Sequence, residues 1–323
     1  MYATYLRAAL AAITLAFGMN ATAATDTKKV AIAMFGPHPS LQQVSDGFKA
    51  VLDKSDLKIV YDEGNVNFDR SLVPQFLNRL AAGKPDLLLA ITTPMAQSAK
   101  QMLAKRNFPI VFAPVTDPVQ AGLLSSWEGG TPLLAGVSNV PDLNATLDFM
   151  QTLLPDMKRL GILYNPGDDS DTAFANRLQK LAPEHGIKIT LIGVDNANDI
   201  PQRVMSARGQ VDALFVPASS LLQPAAPAIA SAAARISMPV FGSNSPSVDV
   251  GHVLAVFAAD FYRIGEKAGE LAERLLHGAD ASTMPVMVLA PEDHVMRISQ
   301  RQLDSLGLTL PAALQECDCG VVP

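Results

Sequence analysis

The fold is decided by three consecutive stretches: VAIAMF at residues 30–35, GPHPS at residues 36–40 and LQQVSDGFKAVL at residues 41–52. The first is a short apolar run, which predicts a strand buried on both faces of a sheet. The last repeats apolar residues at helical spacing on one face: Leu41, Val44, Phe48, Val51 and Leu52. A buried strand followed by an amphipathic helix is the repeating unit of a parallel sheet that carries helices on both faces.

The same alternation continues to residue 113 and restarts after residue 140. Further strands are predicted at 57–61, 86–91, 109–113, 159–164, 187–193, 211–216, 239–241 and 252–257. Further helices are predicted at 70–82, 95–105, 143–154, 172–185, 200–208, 221–236 and 264–276, before a final strand and helix within 295–306. The pattern predicts two α/β units of similar size, each a Rossmann-like lobe with a parallel sheet. A ligand cleft is then expected between the lobes, beyond the carboxyl ends of the strands.

The N-terminus has the three-part pattern of a secretory signal peptide. Residues 1–7 carry a positive charge, residues 8–19 are apolar, and Ala21-Thr22-Ala23 is a small-x-small cleavage site. The apolar run is too short to cross a bilayer of ~30 Å. We therefore expect residues 1–24 to be removed and the mature protein to be exported without membrane insertion.

Composition and motifs argue against several functions. The net charge of −6 leaves no basic surplus for nucleic acid. The sequence has no HExxH, GxSxG, Walker A or strand-linked GxGxxG motif, so we expect no enzyme activity, no catalytic residue, no metal and no cofactor. His38 suits either a ligand contact or a solvated loop. Asp117 suits either a general base or the cap of its own Thr-Asp-Pro turn.

The two cysteines, Cys317 and Cys319, lie in a segment, 317–323, that is expected to form a C-terminal tail. A disulfide across one intervening residue would close a strained ring, and no further metal ligands are evident nearby.

Polar and capping residues follow the predicted strands. Threonine and serine before a helix cap its free N–H groups, and the same groups can bind a carboxylate or phosphate. Each such loop is compatible with ordinary capping, but several facing one cleft favour a ligand site. The candidates are His38, Ser40, Thr92, Thr93, Thr116, Asp117, Asn165, Ser219, Ser220 and Asn244.

The chain resembles the substrate-binding proteins of ABC transporters, in the tryptophan/tyrosine-type family. The resemblance rests on His38-Pro39, TTPMAQ at residues 92–97, PIVFAPVTDPV at 109–119, GILYNPG at 161–167 and PVF at 239–241, and it spans essentially the whole mature chain.

This resemblance implies the type I periplasmic-binding architecture with three crossovers between lobes. Lobe 1 is then expected at 28–140 plus 248–288, and lobe 2 at 141–247 plus 289–316. It also implies a periplasmic protein, expected to be a monomer, that captures a small polar molecule, an amino acid or a relative of one, and delivers it to a membrane permease.

Two positions depart from the family's usual pattern. Pro217-Ala218-Ser219-Ser220 stands where relatives commonly have Pro-Thr-Asp-Asn, and Ser243-Asn244 stands where they commonly have Ser-Asp, so two carboxylates are absent from the expected cleft. An α-ammonium group prefers a charged acceptor. Either the ligand is not a standard α-amino acid, or its ammonium is bound by Asp260 or Asp117.

Two other functions share these features. A ligand-sensing protein that presents its ligand to a membrane receptor would have the same export signal and cleft. A periplasmic enzyme is the third possibility, and His38 or Asp117 would then be required for turnover.

Overall fold

The protein is described by a computed structural model over residues 27–315 and 320–323. The strands, numbered in chain order, are β1 Lys28–Met34, β2 Ile59–Asn65, β3 Leu87–Ile91, β4 Ile110–Phe112, β5 Leu134–Gly136, β6 Arg159–Tyr164, β7 Lys188–Gly193, β8 Ala213–Phe215, β9 Val240–Gly242, β10 Ala255–Ala259, β11 His294–Ser299 and β12 Gly320–Val322. The α-helices are α1 Pro39–Leu52, α2 Val73–Ala82, α3 Thr93–Met102, α4 Leu143–Leu153, α5 Asp169–Leu181, α6 Ile200–Ser206, α7 Ala226–Ala234, α8 Ser245–Asp249, α9 Phe261–Leu276 and α10 Gln300–Leu306. The expected signal peptide and both cysteines lie outside the described residues.

The first lobe is built on a parallel sheet of order β2-β1-β3-β4-β5. Successive residues of β1 point to opposite faces, because side chains alternate along a strand. Val30 and Ile32 pack with α1 and α9 on one face, whereas Ala31 and Ala33 pack with α2 and α3 on the other. Both faces are covered, which explains why β1 reads as a continuous apolar run.

The second lobe contains a sheet of order β12-β11-β10-β9-β8-β6-β7. Its pairs are parallel except for β10 with β11, which run antiparallel. Two mostly parallel sheets with helices confirm the predicted α/β class.

Two expected boundaries differ from the structure. The strand at 255–259 pairs with β9 and β11 in the second sheet, so the chain returns to lobe 1 only with α9 and not at residue 248. Residues 320–322 form β12 on the edge of β11 rather than continuing a tail. In both places a neighbouring strand supplies backbone partners that a local pattern cannot reveal.

Three segments of the described chain connect the lobes: 137–142 before α4, Asp260 before α9, and 288–293 before β11. Two of them are hydrogen-bonded to each other, since the N–H of Asp260 donates to the carbonyl of Asp293 at 3.2 Å. A few loop residues that connect two lobes can act as the hinge when the lobes move.

Close packing of α1 against α9 joins the two ends of lobe 1. A Cβ on Gly265 would lie 2.2 Å from the carbonyl oxygen of Val44, and one on Gly47 would lie 2.1 Å from that of Tyr262. Glycine is therefore required at both contacts, because any larger residue would force the helices apart.

We expect Gly265→Ala to lower the free energy of unfolding by about 3 kcal/mol, since the added methyl group meets backbone rather than a flexible side chain. Urea unfolding followed by circular dichroism measures the change. Arg274→Ala, on an exposed position of the same helix, should change stability by no more than about 0.5 kcal/mol. Equal stability of the Gly265→Ala variant and the wild type would contradict the helix contact.

None of the helices in the described residues is both long enough and apolar enough to span a lipid bilayer.

Candidate functional site

The carboxyl ends of the strands from both lobes surround a cavity with an empty volume of about 460 Å³. It is lined by His38, Leu41, Phe68, Thr92, Thr93, Pro94, Pro114, Asn139, Ser170, Ala218, Ser219, Ser220, Gln223, Pro224 and Phe261. We call this the first cavity. Residues before 137 come from lobe 1 and residues 170–224 from lobe 2, so the cavity lies between the lobes.

A second cavity of about 410 Å³ adjoins the first. The two share Asn139, Ser170, Ala218 and Phe261 in their walls. The other residues of the second cavity are Thr116, Pro141, Asp171, Phe174, Phe215, Pro217, Ser243, Phe257, Ala258 and Ala259. The walls are mostly apolar with a few polar groups, which is the usual composition of a small-molecule site.

The backbone is strained at two residues that line the first cavity. Thr92 has φ 92° and ψ 155°, a conformation that only glycine adopts readily, and Phe68 has φ 63°. Phe68 is held by its N–H, which donates to the Phe35 carbonyl at 2.8 Å, and by an edge contact with the Phe35 ring. Its ring occupies the space beside Gly36, where a Cβ would lie 2.5 Å away. Such strain costs about 1–3 kcal/mol for each residue and clusters at ligand-binding sites.

Lobe 1 presents hydrogen-bonding groups with no protein partner. Thr92 precedes α3 without capping it, and its buried hydroxyl has no hydrogen-bond partner. The buried Ser40 hydroxyl at the start of α1 also lacks a partner, although Ser40 does not line either cavity. Buried polar groups without partners are rare in proteins. A ligand in the first cavity would supply the missing partner of Thr92.

His38 caps α1 and lines the first cavity. Its Nδ1 accepts from the N–H of Ser40 at 3.2 Å, so the neutral ring carries its proton on Nε2. Burial lowers the pKa of His38 and favours this neutral form. The side chain can therefore offer one N–H donor to a ligand while keeping the helix cap.

Lobe 2 contributes Ser219 and Ser220, which also line the first cavity. The Ser219 hydroxyl accepts from the N–H groups of Leu221 and Leu222 at 3.3 and 3.2 Å. Ser219 therefore caps a turn as well as facing the cavity.

Five of the predicted site residues line neither of these cavities, and Ser40, described above, is one of them. Asn165 accepts from the N–H of Gly167, Asn244 caps α8, and Asp260 caps α9 through the N–H groups of Tyr262 and Arg263. Asp117 accepts from the N–H groups of its own turn. Short polar side chains at helix starts and turns commonly serve the backbone in this way.

Asp117 also forms an ion pair across the lobes. Its Oδ2 lies 2.5 Å from Nη2 of Arg177 on α5. The Arg177 guanidinium stacks over the Trp127 ring of lobe 1 at 5.3 Å. Trp127 is the single tryptophan of the chain, so its fluorescence should report the contact between the lobes.

Further contacts link α5 to lobe 1. The Thr116 and Ser170 hydroxyl oxygens are 2.5 Å apart, and the Gln97 amide donates to the Asp169 carboxylate at 2.7 Å. These bonds require direct apposition of the lobes, so the structure has a closed cleft.

Asp171, on the first turn of α5, is the carboxylate in the walls of the second cavity and is 1% exposed. Its Oδ2 accepts from the N–H of Asn165 at 2.8 Å, whereas Oδ1 has no hydrogen-bond partner. Burial, and next the charge of Asp168, raise the pKa of Asp171 to about 7. The Asn165 N–H and the nearby Ser219 hydroxyl oppose this rise, but Ser219 lacks hydrogen-bonding geometry to Oδ1.

Asp171 was not predicted as a site residue, because the predicted helix begins at residue 172 and the loop considered before it ends at Asp168. Asp171 therefore fell between the two. Asp168 caps α5 by accepting from the N–H of Ser170, which moves the helix start to residue 169. Two acids three residues apart at this cap were the available signal. The contribution of Asn139 and Gln223 had no signal in the sequence, since both lie away from the ends of the predicted strands.

We expect Asp171 to contribute a loss of stability as the pH rises from 5 to 8. The pKa of Asp171 in the folded state lies above its unfolded value, so the folded protein binds the proton more tightly and loses that advantage on deprotonation. Asp171→Asn keeps the shape and removes the charge. Relative to the wild type, the variant should therefore gain about 2–3 kcal/mol in its free energy of unfolding between pH 5 and pH 8.

Urea unfolding of both proteins at pH 5 and pH 8 gives this difference directly. Other titrating groups contribute to both proteins and largely cancel, apart from Asp168, whose charge acts on Asp171 and whose carboxylate faces Arg70 at 3.7 Å. Parallel pH profiles for the two proteins would contradict a buried, ionisable Asp171.

Comparisons with known proteins agree with this arrangement. The family described as ABC transporter substrate binding protein matches residues 29–317. A tyrosine-binding protein of Clostridioides difficile (strain R20291) is 31% identical over 277 residues, which cover 84% of this chain and 79% of that protein.

Two solved structures of similar sequence identity resemble this protein to different degrees. One, described as an ABC domain in complex with L-Trp from Streptococcus pneumonia, has a TM-score of 0.85 at 26% identity and covers 92% of this chain and 100% of its own. The ligand-free, open structure of a substrate-binding protein with adhesive properties from Clostridium difficile has a TM-score of 0.70 at 27% identity, with 91% and 99% covered. At nearly equal identity, the lobes match the ligand complex better than the open form.

Proposed function

We propose that this chain, which belongs to the family of ABC transporter substrate-binding proteins, is the binding component of an ABC importer. Its ligand would be an amino acid or an amino-acid-like molecule. The membership confirms the resemblance predicted from its sequence motifs. Proteins of this family are typically extracytoplasmic, and we place the mature protein in the periplasm after removal of residues 1–24. The single observation that carries the proposal is the enclosed space between the lobes, lined by polar groups without protein partners.

The walls of both cavities support a ligand with an apolar, aromatic body. Phe68 and Phe261 lie in the first cavity, and Phe174, Phe215 and Phe257 lie in the second. Aromatic rings favour flat apolar partners through offset or edge contacts. The relatives named for tyrosine and in complex with L-Trp are consistent with such a ligand.

Capture would proceed by closure of the hinge. A ligand that bonds groups of both lobes binds the closed form more tightly than the open form and so shifts the population toward closure. The Arg177–Asp117 ion pair and the Thr116–Ser170 contact form only when the lobes meet. The closed form is then the surface that a membrane permease would recognise, with the protein acting as a monomer.

The local roles of His38 and Asp117 favour binding over catalysis. His38 accepts the hydrogen bond that caps α1. Asp117 forms an ion pair with Arg177 and accepts hydrogen bonds from its own turn. Neither is free to exchange protons with a substrate without losing a structural bond. We propose that neither residue acts as a general acid or base.

A binding screen tests the proposed function. The mature protein, refolded to remove any retained ligand, is titrated with the twenty amino acids by isothermal calorimetry, and Trp127 fluorescence is followed in parallel for the ligands that do not themselves emit. We expect saturable binding of at least one amino acid, with a change in Trp127 emission as Arg177 moves onto the ring. Arg177→Gln should reduce that emission change. Absence of binding across the panel would overturn the amino-acid assignment.

Thr92→Val tests the strained threonine of the first cavity. Valine keeps the shape and removes the hydroxyl, which has no partner in the protein, so we expect the ligand-free variant to gain about 1 kcal/mol of stability. Binding of the amino acid found in the screen should weaken about tenfold, as expected for one lost hydrogen bond to a charged group. Ser98→Ala, whose hydroxyl bonds the Pro94 carbonyl within α3, is the matched control and should bind normally. Unchanged affinity in Thr92→Val would place the ligand elsewhere.

A further inference from the structure

We propose that Asp171 is the counter-ion for a protonated amine of the ligand and takes over the task expected of Asp260 or Asp117. The proposal rests on the proposed function and names the chemical class that the second cavity accepts: a primary ammonium attached to an apolar body.

The first argument is the state of the carboxylate. Asp171 is 1% exposed and one of its oxygens has no hydrogen-bond partner. Leaving a buried carboxylate without a compensating group is costly. Among the described residues that line the two cavities, none is lysine or arginine, so the protein itself supplies no cation on the cavity side. A ligand ammonium would supply both the charge and the missing donor.

The second argument is that the nearby acids are already occupied. Asp117 is paired with Arg177, and Asp260 caps α9 and lines neither cavity. Asp168 caps α5 and faces Arg70. Asp171 uses one oxygen on the Asn165 N–H, while its other oxygen has no hydrogen-bond partner and the residue lines the second cavity.

The third argument is the surroundings of the free oxygen. Phe174, Phe215 and Phe257 share the second cavity with Asp171. Aromatic faces attract cations, and the attraction increases when water is excluded. An ammonium in this cavity therefore meets one carboxylate and several rings.

The test compares L-tyrosine, tyramine and 3-(4-hydroxyphenyl)propionate, together with L-tryptophan, tryptamine and indole-3-propionate. Within each series the second compound lacks the carboxylate and the third lacks the amine. Calorimetry at pH 8 with wild type and Asp171→Asn should show at least a tenfold loss of affinity for the compounds with an amine and a change below threefold for the propionates. Asp260→Asn is the control, because it makes the same chemical change at a helix cap and asparagine can also cap a helix. It should change none of the affinities by more than threefold.

The outcomes separate the inference from the proposed function. Equal affinities of wild type and Asp171→Asn for L-tyrosine or L-tryptophan would overturn the inference and leave the proposed function standing. An equal loss for amines and propionates, with a native circular dichroism spectrum, would also overturn it, because the effect would then not depend on the ammonium. If the wild type binds none of the amine probes, the inference fails. The proposed function also fails only if none of the twenty amino acids in the screen binds.

Discussion

Closure of two lobes over their strand ends removes water from polar groups, and each of those groups then needs a partner. This desolvation is the constraint that organises the site. Most of the groups are satisfied within the protein: Asp117 by Arg177, Thr116 by Ser170, and Ser219 by the backbone of its own turn. Thr92 and Asp171 are not satisfied. Buried groups without partners cost free energy, and these two lie in the walls of two adjoining cavities between the lobes.

A rigid scaffold makes this arrangement possible. Glycines at the α1–α9 contact let the two helices pack backbone against backbone in lobe 1. Two of the connecting segments are hydrogen-bonded to each other, and such loop residues can serve as a hinge between lobes. Backbone strain at Thr92 and Phe68 persists because the surrounding sheet and the Phe35 contacts determine those conformations. The strained residues and the unpaired groups therefore depend on the same rigid lobes.

The electrostatics of the cleft differ from those expected on residue types alone. Two carboxylates that relatives usually carry are replaced by serine and asparagine, which suggested a neutral site. The fold instead buries a different carboxylate, Asp171, at the start of α5. Its pKa of about 7 results from burial and from the neighbouring charge of Asp168. A carboxylate therefore lies in the wall of the second cavity, at a position that the sequence analysis did not select.

The sequence alone determined the α/β class, the two lobes and the family, because buried parallel strands and amphipathic helices leave local, periodic patterns. It also placed His38, Thr92, Thr93, Thr116, Ser219 and Ser220 at strand ends, where they line the cavities. Only the tertiary structure decided which polar residues face the ligand space. Asp260 and Asn244 turn to their own helix starts, whereas Asp171 and Asn139 reach the cavity walls. The sheet membership of β10 and β12 was likewise decided by strand pairing. The physical reason is the same in each case: periodicity reports the burial of a segment, but the direction of one side chain depends on partners that are distant in the chain.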